Sequence, residues 1–335
     1  MSSFINKVFT IIFLICGVFI QLFSQTTTEK SKNLFQDAFD EYVEMLDGKR
    51  EVSLKRAVFL YENAYSEDTL NYSEFCKTID NIVYKLKYNI QLNNFGKYKT
   101  AGNWAVFTYL KEPSVLNKNQ PYIYDFEDFS GQKDYSKMFV TKLLKTKKGN
   151  CVSLPLLYKI LCDELGAKSY LALAPKHLYI KHQDEDGQWI NVELTSGGFP
   201  RDQWLIQQFG ISVEAIKNEI YMKPLSDKEN IVLCMSNLLS AYKRKYNYDT
   251  FVYKVANKGL SYYPNDIHLL TTKANCLLTW GLEEEKDKNR NEEHYKANLK
   301  IYKDCIEKIN SLGYSEVPDE RYDELMKNIE KENKK

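Results

Sequence analysis

The residues best placed for chemistry are a cysteine, a histidine and two polar residues on a strand: Cys151, His177, and Glu193 with Asn191. A thiol attacks carbonyl groups as the thiolate. Cys151 follows Gly149-Asn150 and opens an expected helix over about Val152–Leu165. There, unpaired N–H groups and the positive end of the helix dipole favour the anion. Asn150 suits an N-cap, and Gly149 allows close backbone approach. His177 lies near the start of a strand, about 26 positions later, and imidazole is the side chain suited to act as a base near neutral pH. Each residue alone has a plainer reading, a small residue at a helix start and an isolated strand histidine. Together, with a group to orient the base, they make the nucleophile–base–orienter logic of acyl transfer.

Strand parity locates that third group. Leu178 and Ile180 alternate with His177, Tyr179 and Lys181, while Ile190, Val192 and Leu194 alternate with Asn191, Glu193 and Thr195. If the apolar residues share one face of a hairpin, then His177, Asn191 and Glu193 share the other. A three-residue loop with Gly187 in the left-handed region gives that register, whereas an even-length loop contradicts it. His182 falls on the opposite face.

The elements that must position these residues follow from periodicity. Ser31–Leu92 reads as mostly helical, with Phe35, Phe39, Val43 and Leu46, then Ile79, Ile82, Val83 and Leu86, at helical spacing. Phe95–Ser130 is rich in Tyr, Asn, Gly and Pro and reads as loops with one short element around Asn103–Leu110. It either lines a cleft or caps the core. Asp134–Lys145 reads as one helix, and Gly166 stops the helix that follows Cys151. Strands are expected at Lys168–Ala174, Lys176–His182 and Gln188–Thr195, then helices at Arg201–Phe209 and Val213–Ile220 and a helical tail from Lys228. Leu239, Ala241, Ala256, Leu260 and Pro264-Asn265-Asp266, followed by Ala274, Leu277 and Gly281, resemble helix-pair repeats of the tetratricopeptide kind without the full consensus. The highly charged Asp319–Lys335 reads as a solvated or frayed helix.

Composition narrows the function classes. There are 46 basic and 45 acidic side chains, for a net charge of +1, so electrostatics gives no case for nucleic acid or an acidic membrane surface. Met1–Gln25 carries Lys7, the apolar run Val8–Phe23 and then polar residues, which reads as a signal peptide cut after Ser24. The other reading is an uncleaved anchor, the sole route to a membrane. Cys16 follows Ile15, which does not fit a lipobox. The protein is therefore expected to be exported to the periplasm or cell envelope. The remaining six cysteines could pair there, although their spacing is irregular. Four histidines, none at ligand spacing from a cysteine, imply no metal, and no organic cofactor is implied.

The run from Gly149-Asn150-Cys151 through Val152-Ser153-Leu154-Pro155-Leu156-Leu157-Tyr158, with Leu165-Gly166, Pro175-Lys176-His177 and Glu193-Leu194-Thr195-Ser196-Gly197-Gly198, resembles the transglutaminase-like, papain-type superfamily. It is most similar to the bacterial branch with tetratricopeptide-like tails. The resemblance covers about 55 residues, Lys145–Gly198. It implies an α+β fold, with a helix carrying Cys151 packed on a small antiparallel sheet between helical regions. With the patterns above, the chain divides into a signal peptide (1–25), a helical and aromatic-loop region (26–130), a catalytic core (131–225) and a helical, TPR-like region (226–335). The resemblance makes Cys151, His177 and Glu193 the site of that core. It makes Cys151 the nucleophile, His177 the base and Glu193 the orienter, where the family usually has Asp, with Asn191 as a papain-like alternative. The expected activity is that of a cysteine hydrolase or acyltransferase acting on a peptide or amide through a thioester. The alternative is an inactive scaffold whose C-terminal helices bind a peptide. The second oxyanion donor has no clear counterpart, and Trp104, Tyr122 and Gln132 are candidates for it.

Overall fold

Phe35, Phe39, Tyr42 and Leu46 repeat at three- and four-residue spacing and are all buried, so the first helix, α1 (residues 28–46), presents one apolar face. The structure is a computed structural model that describes residues 28–333, and the expected signal segment Met1–Gln25 lies outside the described residues. Helices α2 (Leu54–Tyr65) and α3 (Tyr72–Leu92) begin at Ser53 and Asn71, whose side chains accept the N–H groups of Arg56 and Glu74. The aromatic segment that follows contains α4 (Ala101–Lys111) and the short strand β1 (Ile123–Tyr124).

The stretch Asp134–Lys145, expected as one helix, is broken. Tyr135–Met138 forms a 3-10 turn, Phe139 is extended, and α5 (Val140–Thr146) starts afresh. The cause lies in α2. The buried Glu62 carboxylate accepts the N–H groups of Val140 at 2.6 Å and Thr141 at 2.9 Å, capping α5 from another element.

Strand β2 (Lys148–Gly149) pairs in parallel with β1 and leads into α6 (Ser153–Leu165). This helix is central because every residue from Ser153 to Cys162 is buried. Gly166, at φ 72°, ends it as expected. Strands β3 (Tyr170–Ala174), β4 (His177–Gln183) and β5 (Trp189–Val192) form an antiparallel sheet in that order. Ile180 faces Val192 and Lys181 faces Asn191. The hairpin closes from Asp184 to Gln188 over a three-residue loop, with Gly187 at φ 84°. Odd-numbered residues of the two strands therefore share a face.

The remaining elements are helical: α7 (Asp202–Phe209), α8 (Val213–Lys217), α9 (Asp227–Lys245), α10 (Thr250–Tyr262), α11 (Ile267–Glu284), α12 (Glu292–Ser311) and α13 (Asp319–Asn333). The α+β class holds, with the small sheet set among thirteen helices in the described residues. Helices α9 to α12 pack successively on one another, and α2 packs on α9. The N-terminal helix joins them: Phe35 meets Tyr242 edge-on at 5.1 Å and Phe39 meets Phe251 at 6.2 Å. No helix among the described residues is long and apolar enough to cross a membrane. The six cysteines among them are free.

The last helix corrects one expectation. α13 is not simply a solvated charged helix, because Tyr322, Met326 and Ile329 are buried and Leu325 is partly so. These positions form one stripe at i, i+3, i+4 and i+7. Fifteen residues rich in charge make a marginal helix in water, so burial of this stripe holds α13 together. Each fully buried side chain contributes about 2 kcal/mol.

Candidate active site

Gly149 sets the approach to Cys151. A Cβ there would lie 2.7 Å from both Leu143 Cδ1 and Ser153 Oγ, so only glycine fits between α5 and the start of α6. Its pairing with Tyr124 brings that phenol to the thiol. Asn150 is buried, and its Oδ1 accepts the N–H groups of Val152 and Ser153, each at 3.0 Å. Its Nδ2 donates to the carbonyls of Phe129 at 3.1 Å and Lys137 at 3.3 Å. Asn150 thus ties the first turn of α6 to the aromatic segment. The helix proper begins at Ser153, one residue later than expected, leaving Cys151 in the turn ahead of it.

His177 opens β4, and Glu193 lies just past β5 on the same face of the sheet. His177 Nε2 and Glu193 Oε2 are 2.5 Å apart, with both side chains almost wholly buried. The other Glu193 oxygen accepts the Thr195 N–H at 2.7 Å. A tight turn fixes this geometry. The Glu193 carbonyl accepts from Gly197 and Gly198, Glu193 N–H donates back to Gly198, and Gly197 sits at φ 73°. Lys111 braces the turn from α4 by donating to the Leu194 carbonyl at 3.0 Å. On the other side, the Phe209 ring stacks on His177 at 4.6 Å and 22°. Both faces of the sheet are therefore covered, including the one carrying His177.

Electrostatics link the three side chains. Burial by itself would keep the His177 imidazole neutral, but the Glu193 carboxylate and the Cys151 thiol raise it to about 10. Burial would raise Glu193, yet His177 and the Thr195 N–H hold it below its ordinary value. Burial also opposes ionisation of Cys151. The hydrogen bond and charge of His177, with the Tyr322 hydroxyl, outweigh it and lower the thiol. Among the described residues His177 Nδ1 is buried with no nitrogen or oxygen partner, so it is the ring atom left for the cysteine proton. The combination favours a thiolate–imidazolium pair. The other buried thiols, Cys162, Cys234, Cys276 and Cys305, are all pushed up by burial.

The other expected site residues are placed elsewhere. Asn191 donates to the Pro200 carbonyl at 3.0 Å and to Asp202 Oδ1 at 2.7 Å, fixing the start of α7 rather than orienting His177. Trp104 is half-exposed and packs edge-on against Phe95 at 4.7 Å. Tyr122 packs on Tyr109, and the exposed Gln132 accepts weakly from Arg244. None of these three hydrogen-bonds to Cys151. The phenols that reach the thiol are Tyr124 and Tyr322, whose hydroxyl lies 3.5 Å from Sγ. Tyr124 belongs to the aromatic segment flagged by composition. Tyr322 is 171 positions away from Cys151, and its sequence signal was the apolar stripe of α13.

A cavity of about 610 Å³ opens beside the site between the sheet and helices α9 to α11. Val152, Lys176, His177, Lys243, Arg244 and Tyr263 are among the residues that line it.

No protein-family model matches the chain. No curated protein matches it either. Among solved structures it resembles a crystal structure of menin described as revealing the binding site for Mixed Lineage Leukemia (MLL) protein, at 12% identity and a TM-score of 0.39 over 84% of this chain and 69% of menin. A likeness of that size bears on neither fold nor function.

Proposed function

We propose that this protein is a transglutaminase-like, papain-type cysteine enzyme in which Cys151 is the nucleophile, His177 the base and Glu193 its orienter. The observation that carries the reading is the buried 2.5 Å contact between His177 Nε2 and Glu193 Oε2, which leaves Nδ1 to serve a thiol whose ionisation is already favoured. Cys151 Sγ attacks the carbonyl carbon of a peptide or amide, and the C–N bond breaks as His177 passes its proton to the leaving amine. A thioester remains. Water or a second amine, losing its proton to His177, attacks the thioester and restores the thiol. The Cys151 N–H is the natural first donor to the oxyanion. In this reading residues 131–225 form the catalytic core, residues 226–335 a TPR-like helical region, and the protein acts after export.

A second reading is a binding scaffold built on a silent site. The burial of Cys151 beneath Tyr322 favours it. A thiol-directed electrophile separates the two. The enzyme reading expects Cys151 to be labelled ahead of Cys162 and Cys234, and His177→Ala to slow that labelling about tenfold or more at neutral pH. Labelling of Cys151 that is indifferent to His177 leaves the scaffold.

A further inference from the structure

The groove over Cys151 is filled by the chain itself. Tyr322 places its hydroxyl 3.5 Å from Cys151 Sγ and its ring 5.9 Å from Phe129. One turn on, Met326 Sδ accepts from the Tyr124 hydroxyl at 3.6 Å. A further turn on, Ile329 sits against the surface depression formed by Ser196, Phe199, Arg201, Trp204 and Gln207. Cys151 is left 7% exposed. An acyl substrate must bring its carbonyl carbon within about 3–3.5 Å of Sγ. The Tyr322 hydroxyl occupies space that such a carbonyl needs.

We infer that this groove is a binding site for an amphipathic helix, occupied here by residues 319–333 of the same chain, and that α13 must leave before Cys151 can take a substrate. The inference rests on Cys151 being the nucleophile. Three features suit α13 to detachment. Its apolar contact with the body is a single stripe, with Glu320, Asp323, Glu324 and Lys327 exposed on the other side. Its polar ties are superficial: Lys176 pairs with the well-exposed Asp319, and Arg321 reaches the Gln207 carbonyl at 3.3 Å. Residues 312–318, which join it to α12, contain no helix or strand, so release of the buried Val317 lets α13 swing away without unwinding α12. The recognition chemistry is that of a helix presenting apolar side chains at i, i+4 and i+7, and a partner helix carrying that pattern would compete for the same groove.

The test uses the full chain and measures alkylation by iodoacetamide at each cysteine. Met326→Glu with Ile329→Glu undermines the stripe while keeping Tyr322. The rate at Cys151 is expected to rise about tenfold or more as the uncovered population grows, with half-buried Cys76 unchanged as the internal standard. An unchanged or slower rate at Cys151 overturns the inference and makes α13 part of the working site. If the rate rises yet His177→Ala in the same background has no effect, the cover stands and the catalytic reading falls. Labelling of fully buried Cys162 and Cys234 would report unfolding of the variant. In that case, hydrogen exchange of the unaltered protein decides. Amides of α13 that exchange well before those of α6 support a detachable helix, and equal protection overturns it.

Discussion

His177 Nε2 and Glu193 Oε2 meet at 2.5 Å in a site closed to water on both faces of the sheet. The contact exists because a three-residue hairpin loop puts odd-numbered residues of β4 and β5 on one side, and because the turn at Gly197 folds the chain back on Glu193. It does two things at once. It turns the imidazole so that Nδ1 is left for Cys151, and it supplies the negative charge that keeps the ring protonated to about 10.

Glu193→Gln keeps the shape and removes the charge. His177 then falls toward its ordinary value of 6.5 and the imidazolium no longer stabilises the thiolate; loss of the Glu193 charge also relieves a repulsion on Cys151, but the His177 contribution is the larger, so the Cys151 pKa rises. Alkylation of Cys151 at pH 7 should slow, its pH–rate curve should move to higher pH, and turnover of any acyl substrate should fall about a hundredfold. Asn191→Ala is the control. It removes hydrogen bonds to Pro200 and Asp202, so it should cost about 1 kcal/mol of stability and leave the pH–rate curve where it is.

Glu62 makes stability depend on pH. Its burial raises the carboxyl from 4.5 to about 7, against the pull of the Thr141 and Val140 groups that it caps. The folded pKa exceeds the unfolded one, so the stabilisation is complete below about pH 4.5 and disappears as pH rises through about 7. The span is worth roughly 3 kcal/mol. Urea midpoints of Glu62→Gln should vary less over this window than those of the unaltered protein, because the amide does not titrate; its single oxygen can accept only one of the Val140 and Thr141 N–H groups, so the variant is also less stable throughout.

Much of this site was legible in local sequence. Parity alone placed His177 and Glu193 together, since a pleated strand alternates sides whatever surrounds it, and Gly166 marked the end of α6. What escaped were pairings between distant segments. The break at Phe139 depends on Glu62, which lies 78 positions before the Val140 it caps, and nothing inside Asp134–Lys145 announces it. Tyr322 escaped for a related reason. The charge on α13 describes the side facing water, while its destination is set by the groove that receives the stripe. Asn191 and Glu193 share a face, so parity could not choose between them. The choice came from Pro200 and Asp202, which draw the Asn191 amide toward α7.

Gly149→Ala tests the packing at the entry to α6. The added methyl would meet Leu143 Cδ1 and Ser153 Oγ at 2.7 Å, and Ser153 Oγ also accepts the Asn150 N–H at 3.1 Å. Leu143 is fully buried and has little room to give. Chemical denaturation should show a loss of about 1–3 kcal/mol with an unchanged m-value. Alkylation of Cys151 should slow because the turn that carries it is displaced.

Asn150→Asp separates capping from charge. The carboxylate retains acceptors for the Val152 and Ser153 N–H groups, so the start of α6 survives. The opposite end of the side chain fares worse. Nδ2 donates to the Phe129 and Lys137 carbonyls, and a carboxylate oxygen there would face two acceptors with nothing to donate. A buried unpaired contact of this kind costs about 1–3 kcal/mol. The new negative charge, one residue from Cys151, also opposes thiolate formation. The pH–rate curve for alkylation of Cys151 should therefore shift to higher pH, with the rate at pH 7 about tenfold lower, while Cys162 stays protected. Asn150→Ser keeps an acceptor without the charge. It should destabilise the protein to a similar degree and leave the thiol pKa close to that of the unaltered protein. Equal shifts in both variants would mean that helix geometry, rather than charge, governs the ionisation of Cys151.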